Sequence, residues 1–238
     1  MQTRIWAVVP AAGTGSRMQT SLPKQYVPLL GRPLILHTLE RLCAHPKVSG
    51  VMVGIASDDQ WWSTLAQDVS QLPKFLDTFV GGSERADTVN NGLKALAEHA
   101  SPDDWVLVHD AVRPCVRASD IDRLINEVSG HADGGLLALP IADTVKRTDD
   151  GHIVSETVPR ANLWRAQTPQ LFPLARLSEA LMQALAAGDV VTDEAAAVER
   201  LGGRPRVVVG HADNIKITVD EDMALAELFM TRQQKGQM

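Results

Sequence analysis

The feature that most constrains this chain is a rhythm. Short apolar runs at Ile5–Val9, Val51–Ala56, Phe75–Val80, Trp105–His109 and Leu136–Ile141 alternate with longer segments from Pro33, Asp59, Ser83 and Ser119. In those longer segments apolar residues recur three and four apart, the spacing of one helix face. Most of the runs are apolar at successive positions, so strands made from them must be covered on both faces. Strands of that kind separated by helices imply a parallel sheet between two helical layers. The expectation is an α/β chain with a doubly wound, mostly parallel sheet. Pro33 suits the first turn of its helix, where a missing N–H costs nothing.

The stretch 143–164 breaks the rhythm. Thr144-Val-Lys-Arg-Thr148, a turn at Asp149-Asp150-Gly151, and His152–Val158 read as a β-hairpin. Its alternation is polar, and a two-stranded hairpin with little apolar face is marginal on its own. It is therefore expected to lean on a partner surface. Beyond it the pattern gives helices over about Leu174–Ala187 and Glu194–Leu201. Strands are expected at Arg206–Val209 and Ile215–Val219, and a last helix from Glu221. No repeat or Pro/Ser-rich linker divides the chain, so one domain over 1–238 is expected, with 143–164 as a protruding arm.

Composition narrows the function. A formal net charge of −6 over 238 residues argues against a nucleic-acid surface or a polybasic membrane patch. The chain enters its first strand without a charged leader and apolar core, and no apolar run approaches the ~18 residues of a spanning helix. Two cysteines and no CxxC or Cys/His cluster fit a reduced, cytoplasmic protein.

Ligands of open α/β sheets bind beyond the carboxyl ends of the strands. The first such end carries Pro10-Ala-Ala-Gly-Thr-Gly-Ser-Arg-Met-Gln-Thr-Ser-Leu-Pro-Lys-Gln-Tyr26. Gly13 and Gly15 let backbone amides approach phosphate oxygens, and Arg17 and Lys24 would neutralise a polyphosphate. A tight turn with two solvated cations is the plainer reading of the same residues. Walker A is ruled out by spacing, and the dinucleotide fingerprint would need glycine where Met18 stands. The other strand ends add Gly81-Gly82-Ser83-Glu84-Arg85 and His109-Asp110-Ala-Val-Arg113-Pro. Period two places Lys216 and Thr218 on one face of the expected late strand, where a buried lysine needs a partner such as phosphate. Trp61-Trp62, His109, Cys115 and the Glu194–Arg200 helix read as packing, structure or plain helix face.

Taken in order, P-A-A-G-T-G-S-R-M…P-K-Q-Y, G-G-S-E-R-A-D-T-V, V-H-D-A-V-R-P, T-V-K-R, A-Q-T-P-Q-L-F, T-D-E-A and D-N-I-K-I-T resemble one family. It is the 2-C-methyl-D-erythritol 4-phosphate cytidylyltransferases of the non-mevalonate isoprenoid pathway, and the resemblance runs from about residue 5 to 232. The opening motif alone is shared with the wider nucleotidyltransferases. The resemblance implies a Rossmann-like nucleotidyltransferase fold and CTP as co-substrate with Mg2+. Ala11, Ala12, Gly13, Gly15, Arg17 and Lys24 match the triphosphate loop. Gly82, Ser83 and Thr88 match cytosine and ribose contacts, with Ser83 where the family often has Asp. Asp110 and Arg113 match substrate-side positions, Asp110 also a metal-proximal and indirect one. Thr192 and Lys216 match contacts to methylerythritol phosphate. Thr144, Arg160 and Thr168 match positions on or beside an arm that reaches the neighbouring site of a homodimer.

In that chemistry a phosphate oxygen attacks the α-phosphorus of CTP, so no general base is needed. Catalysis would rest on positioning and charge neutralisation, with Arg17, Lys24 and Lys216 in that role. The same transfer to another polyol phosphate, such as ribitol 5-phosphate, and a non-catalytic nucleotide-binding regulator are the competing readings. A dehydrogenase and a sugar-1-phosphate nucleotidyltransferase fit less well. No second catalytic domain is expected.

Overall fold

Along the first strand, β1 (Ile5–Pro10), Trp6 and Val8 fall on one side and Ala7 and Val9 on the other, and each is buried. That alternation decides the layering. The computed structural model describes residues 3–13 and 22–236; the expected contacts Gly15 and Arg17 lie outside them. A short ladder, β2 (Pro28–Leu29) with β3 (Arg32–Pro33), leads into α1 (Leu34–Ala44). Pro33 stands at the N-cap, one residue before the helix. Next come β4 (Val48–Ile55), α2 (Ala66–Ser70), β5 (Phe75–Val80), α3 (Arg85–Ala95), β6 (Trp105–Val108), α4 (Ala118–Val128) and β7 (Gly135–Pro140). The chain continues through β8 (Val145–Thr148), β9 (Val154–Val158), β10 (Trp164–Pro173), α5 (Leu174–Ala186), α6 (Glu194–Arg200), β11 (Arg206–Val209) and α7 (Glu221–Gln234).

Among the described residues the main sheet has seven strands in the order β11-β7-β10-β6-β1-β4-β5. β6, β1, β4 and β5 run parallel, as do β7 and β11, while β10 runs antiparallel to both its neighbours. Ala7, Val9, Val53 and Leu107 pack with Ile35 and Leu39 of α1 and with Ile121, Leu124 and Val128 of α4. The opposite face gathers Trp6, Val8, Val106, Val108 and Phe172 with Val89 of α3, Leu177 and Leu181 of α5, and Val198 of α6. The spacing of Ile121, Leu124, Ile125 and Val128 puts them on one stripe of α4, and all are buried. A third cluster holds α7 to the sheet's end through Leu29, Leu34, Val112, Ile217, Ala226 and Met230. The doubly wound, mostly parallel sheet expected from the rhythm is therefore present.

The sequence reading needs three corrections. β10 was missed, because Gln167, Thr168, Pro169 and Gln170 interrupt its apolar pattern, yet all four are buried at the centre of the sheet. Polar side chains there are tolerated because they are hydrogen-bonded. The expected strand at Ile215–Val219 forms no ladder. Ile217 makes a single backbone bond to Val112, and Asp222 of α7 takes up the N–H groups of Thr218 and Val219. The segment from Asp59 is a 3-10 turn at Trp62–Leu65 running into the short α2. The hairpin is present as β8 and β9, and Trp164 beyond it already pairs with Pro140 in the main sheet.

Candidate functional site

The carboxyl ends of β1 and β6, the loop entering α3 and the segment before α7 meet at a cleft of about 230 Å³. Ala11, Ala12, Gly13, Lys24, Gly82, Ser83, Thr88, Asp110 and Lys216 line it, joined by Gln25 and Arg85. These come from positions over two hundred residues apart, brought together by the parallel sheet.

The two glycine-bearing loops approach closely. A Cβ on Gly81 would lie 2.3 Å from the Ala12 Cβ, and one on Gly82 would lie 2.2 Å from the Asp87 Cβ. Only glycine fits at either point. The Gly82 N–H donates to the Thr88 hydroxyl at 3.0 Å, which donates to the Glu84 carbonyl at 3.1 Å. Ser83 donates to Asp87 at 2.9 Å, and the Glu84 N–H donates to the same carboxylate at 3.1 Å, closing the start of α3. Gln25 donates to the carbonyls of Ala11 at 2.8 Å and Gly13 at 3.3 Å, so the residue after Lys24 fixes the first loop.

Asp110 is the electrostatic centre. Its Oδ1 accepts from Arg85 Nε at 3.0 Å, and its Oδ2 lies 2.9 Å from Lys216 Nζ and 3.5 Å from Arg113 Nε. Burial alone would raise this carboxyl. The charges of Arg85, Lys216 and Arg113 overcome that and hold it well below the usual carboxylate range. Arg85 in turn places Nη1 and Nη2 on the two oxygens of Glu194, at 2.6 and 3.1 Å. Burial opposes the charge on Arg85, but Glu194 and Asp110 raise its pKa above the ordinary arginine value.

The backbone of Asp110 is held from behind by a directed chain. Its N–H donates to the Thr168 hydroxyl at 3.0 Å, leaving the hydroxyl proton for His109 Nδ1, also at 3.0 Å. His109 must then carry its own proton on Nε2, which donates to the Arg113 carbonyl at 3.1 Å. Burial pushes the imidazole down to about 4, which keeps it neutral and able to accept. Arg113 donates from Nη1 to the Asn214 carbonyl at 2.7 Å, and Asn214 donates to the Thr168 carbonyl at 2.8 Å. Gln167 donates to the carbonyls of His211 and Asn214. The segment carrying Lys216 is thus set by tethers to β10 and the β6 loop instead of by a strand ladder.

The sequence-derived residues sort accordingly. Arg113 and Thr168 sit behind Asp110 and brace it. Thr192 is exposed, two residues before Glu194. Thr144 and Arg160 are exposed near the hairpin, away from the residues that line the cleft; Arg160 donates to the Ala142 carbonyl. Thr218, expected beside Lys216, instead donates to Asp222 at 2.9 Å. Trp61 stacks on Tyr26 and Trp62 tilts against Phe75, as packing requires.

Sequence reasoning missed Arg85 and Glu194. Arg85 closes the Gly81–Arg85 strand-end motif, where nothing local marks it off from an ordinary helix-start residue. Glu194 falls in a segment that reads as plain helix face, yet it is 1% exposed. The available signal was the alanine run after it, Ala195-Ala-Ala197, which marks a closely packed helix start.

Among the described residues no group of His, Cys, Asp and Glu gathers that could hold a metal ion. The Asp110 oxygens are already taken by Arg85 and Lys216. Neither oxygen is therefore left as a direct ligand for a cation.

A family model described as "IspD: 2-C-methyl-D-erythritol 4-phosphate cytidylyltransferase" matches residues 5–232. The chain is similar to the 2-C-methyl-D-erythritol 4-phosphate cytidylyltransferase of Halorhodospira halophila (strain DSM 244 / SL1), 54% identical over 231 residues, 97% of this chain and 95% of that one. The enzyme of the same name from Aromatoleum aromaticum (strain DSM 19018 / LMG 30748 / EbN1) is 51% identical, covering 97% of each. A crystal structure of 4-diphosphocytidyl-2C-methyl-D-erythritol synthase matches with a TM-score of 0.83 and 37% identity, covering 97% of this chain and 99% of that one. The cytidylyltransferase structure from Thermus thermophilus gives 0.76 at 28% identity, covering 97% and 100%.

Proposed function

The chain belongs to the 2-C-methyl-D-erythritol 4-phosphate cytidylyltransferase family, and from that premise we propose that the cleft around Asp110 and Lys216 is where its reaction takes place. The reaction transfers CMP from CTP to 2-C-methyl-D-erythritol 4-phosphate in isoprenoid biosynthesis. A phosphate oxygen of the polyol forms a bond to the α-phosphorus while the bond to the β-phosphate oxygen breaks. The products are 4-diphosphocytidyl-2-C-methyl-D-erythritol and pyrophosphate.

The attacking phosphate is already ionised, so no residue need remove a proton. What the chain must supply is alignment and positive charge. The observation that carries this reading is the convergence of Lys24, Lys216, the Ala11–Gly13 backbone and the Gly82–Ser83 loop on one cleft. We assign Ala11, Ala12, Gly13, Gly15, Arg17 and Lys24 to the triphosphate. Gly82, Ser83 and Thr88 take the cytidine, and Asp110, Arg113, Thr168, Thr192 and Lys216 form the polyol-phosphate side. A Mg2+ brought in on the triphosphate would supply charge neutralisation for the departing pyrophosphate.

The arm belongs to a second subunit's site in this reading. Ile153 and Val154 are 67% and 54% exposed, and nearly every side chain of β8 and β9 faces solvent. A hairpin of that kind gains stability only against another surface, which favours a cytoplasmic homodimer of single-domain subunits, with Thr144 and Arg160 completing the neighbour's cleft. Among the described residues no helix is long and apolar enough to cross a membrane.

The test is pyrophosphate release from CTP and Mg2+ with methylerythritol 4-phosphate or ribitol 5-phosphate. Release with the former alone is expected, and release only with ribitol phosphate would overturn the substrate assignment. Light scattering should give twice the chain mass, and a monomer at assay concentration would remove the arm's role.

A further inference from the structure

Arg85 and Glu194 take no part in the reaction as assigned above, yet Arg85 lines the cleft and makes a two-point ion pair with Glu194 buried beside it. Arg85 is the first residue of α3, immediately after the Gly82–Glu84 loop. Glu194 is the first residue of α6, two residues after Thr192. Asp110 follows the end of β6. One guanidinium spans both carboxylates, Nε toward Asp110 at 3.0 Å and Nη1 and Nη2 toward Glu194 at 2.6 and 3.1 Å.

The geometry of a guanidinium makes this more than charge cancellation. Its donors are fixed in one plane, so engaging Nε and both Nη groups sets the angle and distance between the two carboxylates. Lysine, with a single ammonium, could not do so. The start of α6 is pinned to β10 as well, through Gln170, which donates to Asp193 at 2.9 Å and accepts from the Ala195 N–H at 2.9 Å. A shift of the Thr192 segment must therefore move Arg85, and with it the Asp110 carboxylate on which Lys216 rests. Buried ion pairs contribute little net stability compared with apolar side chains of the same size, so stability alone is a weak reason for one in a cleft wall.

We propose that Arg85 and Glu194 are positioning residues that couple the polyol-phosphate side of the cleft to its nucleotide side through Asp110. The proposal rests on the subsite assignment given above. Arg85, held by two carboxylates, stays a fixed strut and leaves contact with phosphate to the cations assigned above, Arg17, Lys24 and Lys216.

The test is a cycle of Arg85→Met, Glu194→Met and the double variant, made in the full chain. Melting temperature, CTP affinity, and kcat and KM for methylerythritol 4-phosphate are measured on each. Glu194→Met leaves Arg85 paired with Asp110 and should cost less than Arg85→Met, which strands the buried Glu194 carboxylate and should lower Tm by about 6–20 °C. The double variant should recover most of that loss. Its kcat/KM for the polyol phosphate should stay at least about tenfold below wild type, with CTP affinity within about threefold. Recovery of both Tm and kcat/KM would make the bridge merely structural and overturn the proposal. An equal loss of CTP affinity would also overturn it, by placing the bridge within the nucleotide side alone.

Should the double variant not recover its Tm, Glu194→Gln decides, since it keeps shape and one acceptor. A loss confined to the polyol phosphate at near-normal Tm supports coupling, and unchanged kinetics sink it. Thr192→Ala run alongside separates the layers. If that variant leaves polyol-phosphate kinetics intact, the subsite assignment fails first, and the coupling built on it goes too.

Discussion

Two arginine–glutamate pairs in this chain have the same closest approach and opposite surroundings. Arg85 meets Glu194 at 2.6 Å with side chains 27% and 1% exposed; Arg147 meets Glu156 at 2.6 Å with side chains 65% and 54% exposed. The first lies in the cleft wall, the second on the hairpin. Distance therefore says little about what a pair does. In the wall the glutamate has lost its water and relies on the guanidinium, so removing Arg85 leaves a carboxylate with nothing to replace its partner, while Arg85 itself would keep Asp110. On the hairpin water is ready to take over, and salt screens what remains.

The comparison is broken most sharply at Arg85. Arg85→Met strands the buried Glu194 carboxylate and should cost about 3–5 kcal/mol in urea unfolding, as removal of one partner of a buried pair does. Glu156→Met on the hairpin should cost no more than about 1 kcal/mol. Equal losses would mean that burial is not what separates the two regions.

Activity should divide along the same line. Lys216→Ala and Lys24→Ala are each expected to lower kcat by about 10²–10³, the usual loss when one charge-stabilising donor is removed. Lys146, which donates to Thr157 on the hairpin at 2.6 Å, should tolerate alanine with kcat within about threefold of wild type. If Lys24→Ala kept its kcat and only raised KM for CTP, that lysine would bind the ground state instead.

A pH prediction follows from His109. Burial holds its folded pKa at about 4, against about 6.5 in an unfolded chain. Above pH 6.5 both states are neutral and the stability is complete. Between 6.5 and 4 the unfolded chain binds a proton that the folded chain refuses, so stability falls as pH falls through that window. At pH 5 the loss should be about 2 kcal/mol relative to pH 7.5. His109→Gln should remove most of that slope, whereas Arg147→Met should leave it unchanged. Parallel slopes for wild type and His109→Gln would show that another group carries the dependence, such as His45, which burial also pushes down.

The sheet was legible in the sequence because buried parallel strands are apolar at nearly every position, and Ile5–Val9 and Trp105–His109 show it plainly. β10 was not, because its polar residues are satisfied by partners far away in sequence: Thr168 by His109, Gln170 by Asp193. No local pattern records such bonds. The site was legible where chemistry leaves local marks, as at Gly82, Lys24 and Lys216. Arg85 and Glu194 are ordinary helix-start residues by local signs, and only the fold brings these residues, 109 positions apart in sequence, to 2.6 Å in space. The failed strand at Ile215–Val219 has one distant and one local cause. Its alternation is real, but Asp222 and Val112 claim the backbone groups that a ladder would have used.

The smallest effect is the most informative about assembly. Arg147→Met in a dilute, monomeric sample should change stability by about 0.2–1 kcal/mol, and raising salt to 1 M should erase even that, since screening then acts within about 3 Å. The arm was assigned above to a subunit contact, however, and a contact that covered Arg147 and Glu156 would move the pair toward the condition of Arg85 and Glu194. The same substitution measured at concentrations where the protein is dimeric should then cost more and resist salt. A concentration-dependent cost would turn the two pairs from opposites into the same device used within and between subunits. A cost that stayed small and salt-sensitive at every concentration would leave this pair in solvent, and would require the arm to make its contact through Thr144, Ile153 or Arg160 instead.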